Sequence, residues 1–274
     1  DSMHAYGDYD ESCIFAYAVG KVIESFYNFY NLSDKKVTAL FNEWMLGMGA
    51  LYIQKQLPAI ATLFTTHATS IGRSIAGNNK ALYAYMDGYN GDQMAKELNM
   101  EAKHSLEKQA AHHVDCFTTV SNLTAKECKY LLGKEVDLVT PNGFEDDFVW
   151  PQPELDAKRA ASRKQMIEIA EICLGIHYDT EPLIVGTSGR YEFKNKGLDV
   201  FVDSLLKLSE SASLPRPVLA YVTVPAGNLG PRKDLQAHLK DPGSPIDPTV
   251  IRNLTHYLSA PEWDPIIGRI KNSR

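Results

Sequence analysis

Long apolar runs, grouped cysteines and an excess of positive charge are all missing from this chain, and each absence excludes a class of protein. No stretch approaches the roughly 18 apolar residues of a membrane span, and no basic-then-apolar leader opens the sequence. The formal net charge is −6 over 274 residues, whereas a broad nucleic-acid surface is basic. We therefore expect a globular protein that binds neither a membrane nor nucleic acid.

Cysteine and histidine spacing gives no sign of a metal site or of a disulfide framework. The four cysteines are scattered, without a CxxC pair or zinc-finger spacing, at Cys13, Cys116, Cys128 and Cys173. Their distribution indicates reduced thiols in a cytoplasmic protein. His112 and His113 are adjacent, so on a helix their side chains point in different directions, and no third ligand is evident nearby. We expect no metal and no other cofactor.

Short β-rich segments alternate with helical patterns through the first half of the chain. The predicted strands are 37–41, 60–65, 114–120 and 136–139, and the predicted helices are a buried one at 13–30, then 47–56, 92–112 and 125–132, the last capped by Asn122 or Thr124. This alternation is typical of an α/β fold with mainly parallel, Rossmann-like sheets and helices on both faces.

The alternation is interrupted by a proline-bearing stretch at 150–153. Beyond it we predict a helix at 155–174, strands at 183–185 and 218–224, and two short helices near 231–239 and 249–258. The domain boundary is expected within 145–180. The predicted division is a first domain at 1–150, a linker helix at 151–180 and a second domain at 181–274.

A basic loop bounded by glycines occupies residues 189–197, with the sequence GRYEFKNKG. It follows the apolar run 182–185 and precedes Leu198, whose apolar spacing continues as one face of a helix. Ligands of open α/β sheets bind beside loops at the carboxyl ends of strands, and a helix N-terminus favours anions. Arg190 and Lys196 add two positive charges, so the loop suits a diphosphate, although a strand, basic loop and helix also occur without one.

This loop closely resembles the nucleotide-phosphate loop of glycogen synthases of the animal and fungal type. Four further segments resemble the same family in the same order, namely 42–45 (NEWM), 64–73 (FTTHATSIGR), 117–121 (FTTVS) and 139–143 (VTPNG). The resemblance implies the GT-B architecture, in which two Rossmann-like domains face a cleft. It also implies that both domains are incomplete here, because the glycine-rich first strand and a later paired-glutamate motif are missing, so we interpret the chain as an internal fragment.

The resemblance further implies retaining transfer of glucose from a nucleotide sugar, with UDP-glucose favoured, to the non-reducing 4-hydroxyl of an α-1,4-glucan. Arg190 and Lys196 would stabilise the departing diphosphate, with Arg73 assisting from across the cleft. Two alternatives stay open: another GT-B glycosyltransferase with a different donor or acceptor, and a non-catalytic module that binds glucan or nucleotide. Oligomeric state is open as well, with a homo-oligomer as one option.

The remaining candidate residues follow predicted strands, where an α/β cleft would lie. By resemblance, Glu43, His67, Arg73 and Asn142 bind the donor or its sugar. The family usually has His before the glutamate, where this chain has Asn42. The structural alternatives are a solvated carboxylate at a helix start for Glu43 and turn chemistry for Asn142 in its Pro-Asn-Gly sequence.

Overall fold

The computed structural model describes residues 7–210 and 213–273. The chain forms two compact units, Asp1–Phe144 and Glu145–Arg274. None of the helices within those described ranges is both long enough and apolar enough to cross a membrane.

The first unit contains a parallel sheet with strand order β1-β2-β3-β4. The strands are β1 (Val37–Asn42), β2 (Ile60–Thr66), β3 (Cys116–Thr119) and β4 (Leu138–Val139). The helices are α1 (Gly7–Phe29), α2 (Gly47–Gln56), α3 (Ser70–Gly77), α4 (Gly91–Glu97), α5 (Glu101–His113) and α6 (Asn122–Glu127), the last continuing as a π-helix at Cys128–Leu132. The predicted parallel strands and α/β class are confirmed.

The core of this unit lies against one face of the sheet. Alternate residues of the central strands point into it, and Phe64 and Phe117 stack with ring centroids 6.0 Å apart. The helices contribute apolar residues such as Ile53 from α2 and Ala110 from α5. On the other face, Leu40 remains 65% exposed. A strand order that never reverses gives this result, because right-handed crossovers then place the connecting helices on the same face. In the described part of this unit the core helices thus cover one face of the sheet, whereas helices on both faces were predicted.

The helical segments differ from the prediction at three places. The predicted helix 92–112 is two helices, because Asn99 adopts a left-handed conformation (φ 54°) between α4 and α5; asparagine tolerates that geometry and commonly ends helices. The cap of α6 is Ser121, whose hydroxyl accepts from the Thr124 amide, and neither predicted residue fills that role. Helix α3 was not predicted.

Helix α1 is wrongly predicted as a buried helix. Its buried residues are Tyr9, Ala16, Gly20 and Tyr27, whereas Phe15 is 61% and Phe29 77% exposed. A run that is apolar on all sides would bury all sides only if other elements surrounded it. In the described unit, α1 packs through one side, chiefly against α2.

The second unit combines a parallel pair of strands with an antiparallel pair. Its elements are α7 (Gln152–Leu174), β5 (Leu183–Ser188), α8 (Leu198–Ser209), β6 (Val218–Thr223), β7 (Asn228–Pro231), α9 (Lys233–Lys240), β8 (His256–Leu258) and α10 (Pro265–Lys271). Strand β6 pairs parallel with β5, and β8 pairs antiparallel with β7. The helix predicted near 249–258 is wrong.

A buried arginine explains the backbone conformation of that wrongly predicted segment. The guanidinium of Arg232 is 1% exposed, pairs with Asp234 at 2.6 Å and donates to the Leu254 carbonyl at 3.0 Å. The Arg232 amide donates in addition to the Thr255 carbonyl. These carbonyls face Arg232, so they are not used for helical hydrogen bonds and the segment runs into β8.

Candidate functional site

Two predicted site residues, Glu43 and His67, lie with Asn42 at the carboxyl ends of β1 and β2. Asn42 ends β1, and Glu43 follows it with a backbone φ of 67° and ψ of 160°. A non-glycine residue with positive φ is uncommon and strained. The Glu43 amide donates to the Thr65 carbonyl of β2 at 2.8 Å, which holds this conformation. The turn therefore leaves β1 abruptly and keeps Glu43 half-buried at the edge of the sheet.

The ring of His67, just beyond β2, contacts the Asn42 side chain. The distance from His67 Nε2 to Asn42 Oδ1 is 3.2 Å. Because an amide oxygen only accepts, Nε2 donates to it, and Nδ1 takes no part in this contact. The residue at which the chain departs from the family pattern thus orients the predicted sugar-binding histidine, a contact that the sequence did not reveal.

Arg73 and Asn142 lie on different elements of the same unit. Arg73 is half-buried in α3, one turn after the cap residue Thr69, whose carbonyl accepts from the Arg73 amide. Asn142 lies in the exposed stretch after β4. The structure therefore brings Asn42, Glu43 and His67 to one edge and places Arg73 on the helix that follows His67.

Two buried carboxylates that contact the residues on either side of His67 were not predicted from the sequence. Glu107 of α5 is fully buried, and Glu127 of α6 is 5% exposed. A signal was available for Glu107, because it lies one helical turn before Ala110 and Ala111, on the apolar face of α5. An acid on such a face indicates a carboxylate with internal partners.

The predicted phosphate loop at 189–197 lies on the surface of the second unit, between β5 and α8. Gly189 and Gly197 have φ of 152° and 65°, so glycine is required at both ends of the loop. Arg190 is exposed, and its Nε lies 3.1 Å from Glu192 Oε1. Lys196 is also exposed. Both predicted cations are therefore accessible to a ligand from solvent.

The same loop is attached to the unit through its aromatic and acidic side chains. Tyr191 donates to Asp264 Oδ2 at 2.6 Å, and Asp264 Oδ1 caps α10 by accepting from the amides of Ile266 and Ile267. Burial and the Asp264 carboxylate raise the pKa of Tyr191 well above its usual range, so the phenol stays protonated and donates. Lys194 pairs with Asp199 in the first turn of α8 at 2.8 Å.

The adjacent histidines on α5 have structural partners. His112 donates from Nε2 to the Leu132 carbonyl at 2.9 Å, and His113 donates from Nδ1 to the Gln109 carbonyl at 2.8 Å. Within residues 7–210 and 213–273, no three His, Cys, Asp or Glu side chains are grouped so as to hold a metal ion. All four cysteines are free thiols.

Comparison with known proteins shows that the family model for glycogen synthase matches residues 3–229. That range includes both loops and every predicted site residue. The chain belongs to the glycogen synthase family.

Glycogen synthases of several lineages are similar to this chain. A glycogen [starch] synthase of Neurospora crassa is 32% identical over 223 residues, covering 79% of this chain and 31% of the relative. One from Dictyostelium discoideum is 32% identical over 224 residues, or 79% of this chain and 25% of the relative. The human liver glycogen [starch] synthase is 34% identical over 178 residues, which cover 64% of this chain and 25% of the relative. The chain thus spans about a quarter to a third of these curated relatives.

Among solved structures, the catalytic domain of starch synthase IV from Arabidopsis thaliana, bound to ADP and acarbose, aligns with a TM-score of 0.46 and 16% identity. The alignment covers 86% of this chain and 50% of that one.

Proposed function

We propose that this chain is the donor-contacting part of a glycogen synthase with the GT-B architecture. The complete enzyme transfers glucose with retention from a nucleotide sugar, UDP-glucose being favoured, to the non-reducing 4-hydroxyl of an α-1,4-glucan. The family match over residues 3–229 carries the proposal, and the coverage of 25–31% of the relatives supports the chain being one part of the enzyme.

The domain roles belong to the same proposal. Residues 1–150 form part of the acceptor-side domain, 151–180 the linker helix, and 181–274 the first part of the nucleotide-sugar domain. The enzyme works in the cytoplasm, an expectation to which the free cysteines add support.

In the first unit, Glu43, His67, Arg73 and Asn142 contact the donor. The geometry supports the first two most directly, since both lie at the carboxyl edge of a parallel sheet, the usual ligand position in α/β folds. The Asn42 contact fixes the ring of His67, which leaves its second nitrogen available to a sugar hydroxyl.

In the second unit, Arg190 and Lys196 stabilise the negative charge that grows on the diphosphate as it leaves the sugar. Arg190 is paired with the half-buried Glu192, but its guanidinium is exposed, and a diphosphate can compete for it because ion pairs at the surface contribute little. Arginine also offers a planar fork that matches two phosphate oxygens.

Incorporation of labelled glucose into glycogen tests this function. The full-length protein should transfer glucose from UDP-glucose, whereas the 274-residue chain alone should not. A donor panel that includes ADP-glucose separates this function from that of a related transferase. If the full-length protein binds donor or glucan without transferring glucose, the non-catalytic binding module is favoured; transfer by the 274-residue chain alone would contradict its role as one part.

A further inference from the structure

The buried carboxylate of Glu107 holds both ends of the segment that carries His67. Its Oε1 accepts from the Thr66 hydroxyl at 2.8 Å. Its Oε2 accepts from the Ser70 amide at 2.8 Å and from the Ser70 hydroxyl at 2.7 Å. Thr66 ends β2 and Ser70 begins α3, so one side chain of α5 fixes the strand end and the helix start on either side of His67.

Glu127 supports the same segment from α6. Its Oε2 accepts from the Thr69 hydroxyl at 2.8 Å, and its Oε1 accepts from Tyr83 at 3.0 Å. The Thr69 oxygen in turn accepts from the Gly72 amide and caps α3. The segment Thr66–Ser70 is therefore anchored by two buried carboxylates, while His67 and Ala68 between its ends are half-exposed.

We infer that Glu107 is a positioning residue for the donor site, which fixes His67 against Asn42 by anchoring Thr66 and Ser70. This inference rests on the proposed function, since His67 matters for turnover only if it contacts the donor. Glu107 itself is fully buried, so its role would be indirect. It acts through the backbone of the loop, and His67 shares its edge of the sheet with Glu43.

The surroundings of Glu107 make this anchor sensitive to pH near neutrality. Burial raises the pKa of Glu107 to about 7, the bonds from Ser70 and Thr66 oppose that rise, and the negative charge of Glu43 adds to it. The Cys128 thiol lies close to Glu107 and Glu127, and its own pKa is raised by burial and by both carboxylates. The ionised form can accept all three bonds; adding a proton turns one oxygen into a donor.

Nuclear magnetic resonance of the 274-residue chain tests the anchor independently of catalysis. In the wild type, the chemical shift of the Ser70 amide should change with pH, with a midpoint near 7, as Glu107 loses its proton. In Glu107→Gln that titration should vanish and the His67 ring signals should shift, whereas Glu11→Gln, a change at an exposed acid of α1, should leave both as in the wild type. Unchanged Ser70 and His67 signals in Glu107→Gln would overturn the inference. Glu107→Asp provides a second variant that keeps the charge and shortens its reach.

Steady-state kinetics of the full-length protein tests the consequence for the site. Glu107→Gln should lower kcat/KM roughly tenfold to a hundredfold, as misplacing a catalytic group typically does, and should flatten the pH profile between 6 and 8. A retained profile with wild-type kcat/KM would overturn the inference even if the protein is an active synthase. If no transfer occurs in any variant, the proposed function fails, and the resonance titration still decides whether Glu107 anchors the loop.

Discussion

Two segments of this chain, 66–70 in the first unit and 189–197 in the second, each connect a parallel strand to a helix, yet they are held by different interactions. The first is anchored from below by the buried carboxylates of Glu107 and Glu127. The second lies at the surface, where Arg190 pairs with Glu192 and Tyr191 reaches Asp264. Segments at equivalent positions in two α/β units can therefore be held by different kinds of interaction.

The difference predicts what each loop tolerates. In a buried, fully bonded site, a small change of volume or charge leaves polar groups without partners, which costs more than losing an exposed contact. At the surface, water replaces lost partners, so stability changes little while charge remains important for an anionic ligand. The four predictions that follow begin with the largest effect.

Removing the cations of the surface loop should affect turnover far more than stability. In the full-length protein, Arg190→Ala or Lys196→Ala should lower kcat by about 10²–10³, by analogy with donors that stabilise charge in a transition state. Arg190→Lys should rescue only partly, since lysine lacks the planar fork. Steady-state kinetics against donor concentration measures this, with Lys207→Ala on the exposed side of α8 as a nearly silent control. Turnover within about threefold of wild type in both alanine variants would show that the loop is only structural.

Removing the charge of the buried anchor should change how stability depends on pH. The pKa of Glu107 is about 7 in the folded state against an ordinary 4.5, so its contribution is complete below pH 4.5 and is lost as pH rises through 7. Between pH 5 and pH 8, the unfolding free energy of the wild type should fall by about 3 kcal/mol relative to that of Glu107→Gln, because glutamine does not titrate. Urea unfolding at several pH values measures this, with Glu11→Gln following the wild type. Parallel curves for the wild type and Glu107→Gln would contradict the assignment.

Adding one methyl group under the buried loop should destabilise the first unit. A Cβ on Gly72 would lie 2.5 Å from Thr69 Oγ1 and 2.7 Å from Glu127 Oε2. Gly72→Ala should therefore lower stability by about 2 kcal/mol, although alanine normally favours a helix. Gly88→Ala is the matched control, because a Cβ there meets no atom within 4 Å. Thermal unfolding of the two variants measures this difference. If Gly72→Ala is as stable as Gly88→Ala, the residues around Gly72 can move to make room for the methyl group, and the segment is not rigidly held.

Removing the Tyr191 hydroxyl should have the smallest effect. Tyr191→Phe loses a hydrogen bond to the half-buried Asp264, whose oxygen can then bind water, so stability should fall by about 1 kcal/mol. Hydrogen exchange of the 189–197 amides should accelerate modestly. Tyr85→Phe, a change at a residue that is 65% exposed, provides the reference. A loss as large as that of Gly72→Ala would remove the contrast between the loops.

Local patterns determined much of this protein. The strands of the first sheet were predicted from β-rich runs, because side chains that alternate between core and solvent leave a signature within a few residues. The parallel arrangement followed from the alternation with helices. The segments around His67 and Arg190 carried the family resemblance, since those motifs are contiguous in sequence.

The tertiary structure decided what depends on partners distant in sequence. Glu107 is 37 residues from Ser70, so nothing local shows that this acid is buried beneath the loop. The contact of Asn42 with His67 spans 25 residues. The contact of Arg232 with Leu254 spans 22 residues and lies in the segment where a helix was predicted. The exposed side of α1 likewise depends on which elements cover it. Sequence patterns record the preference of each residue for a local environment, whereas the burial of a charge and the choice of its partner are settled only when distant segments pack together.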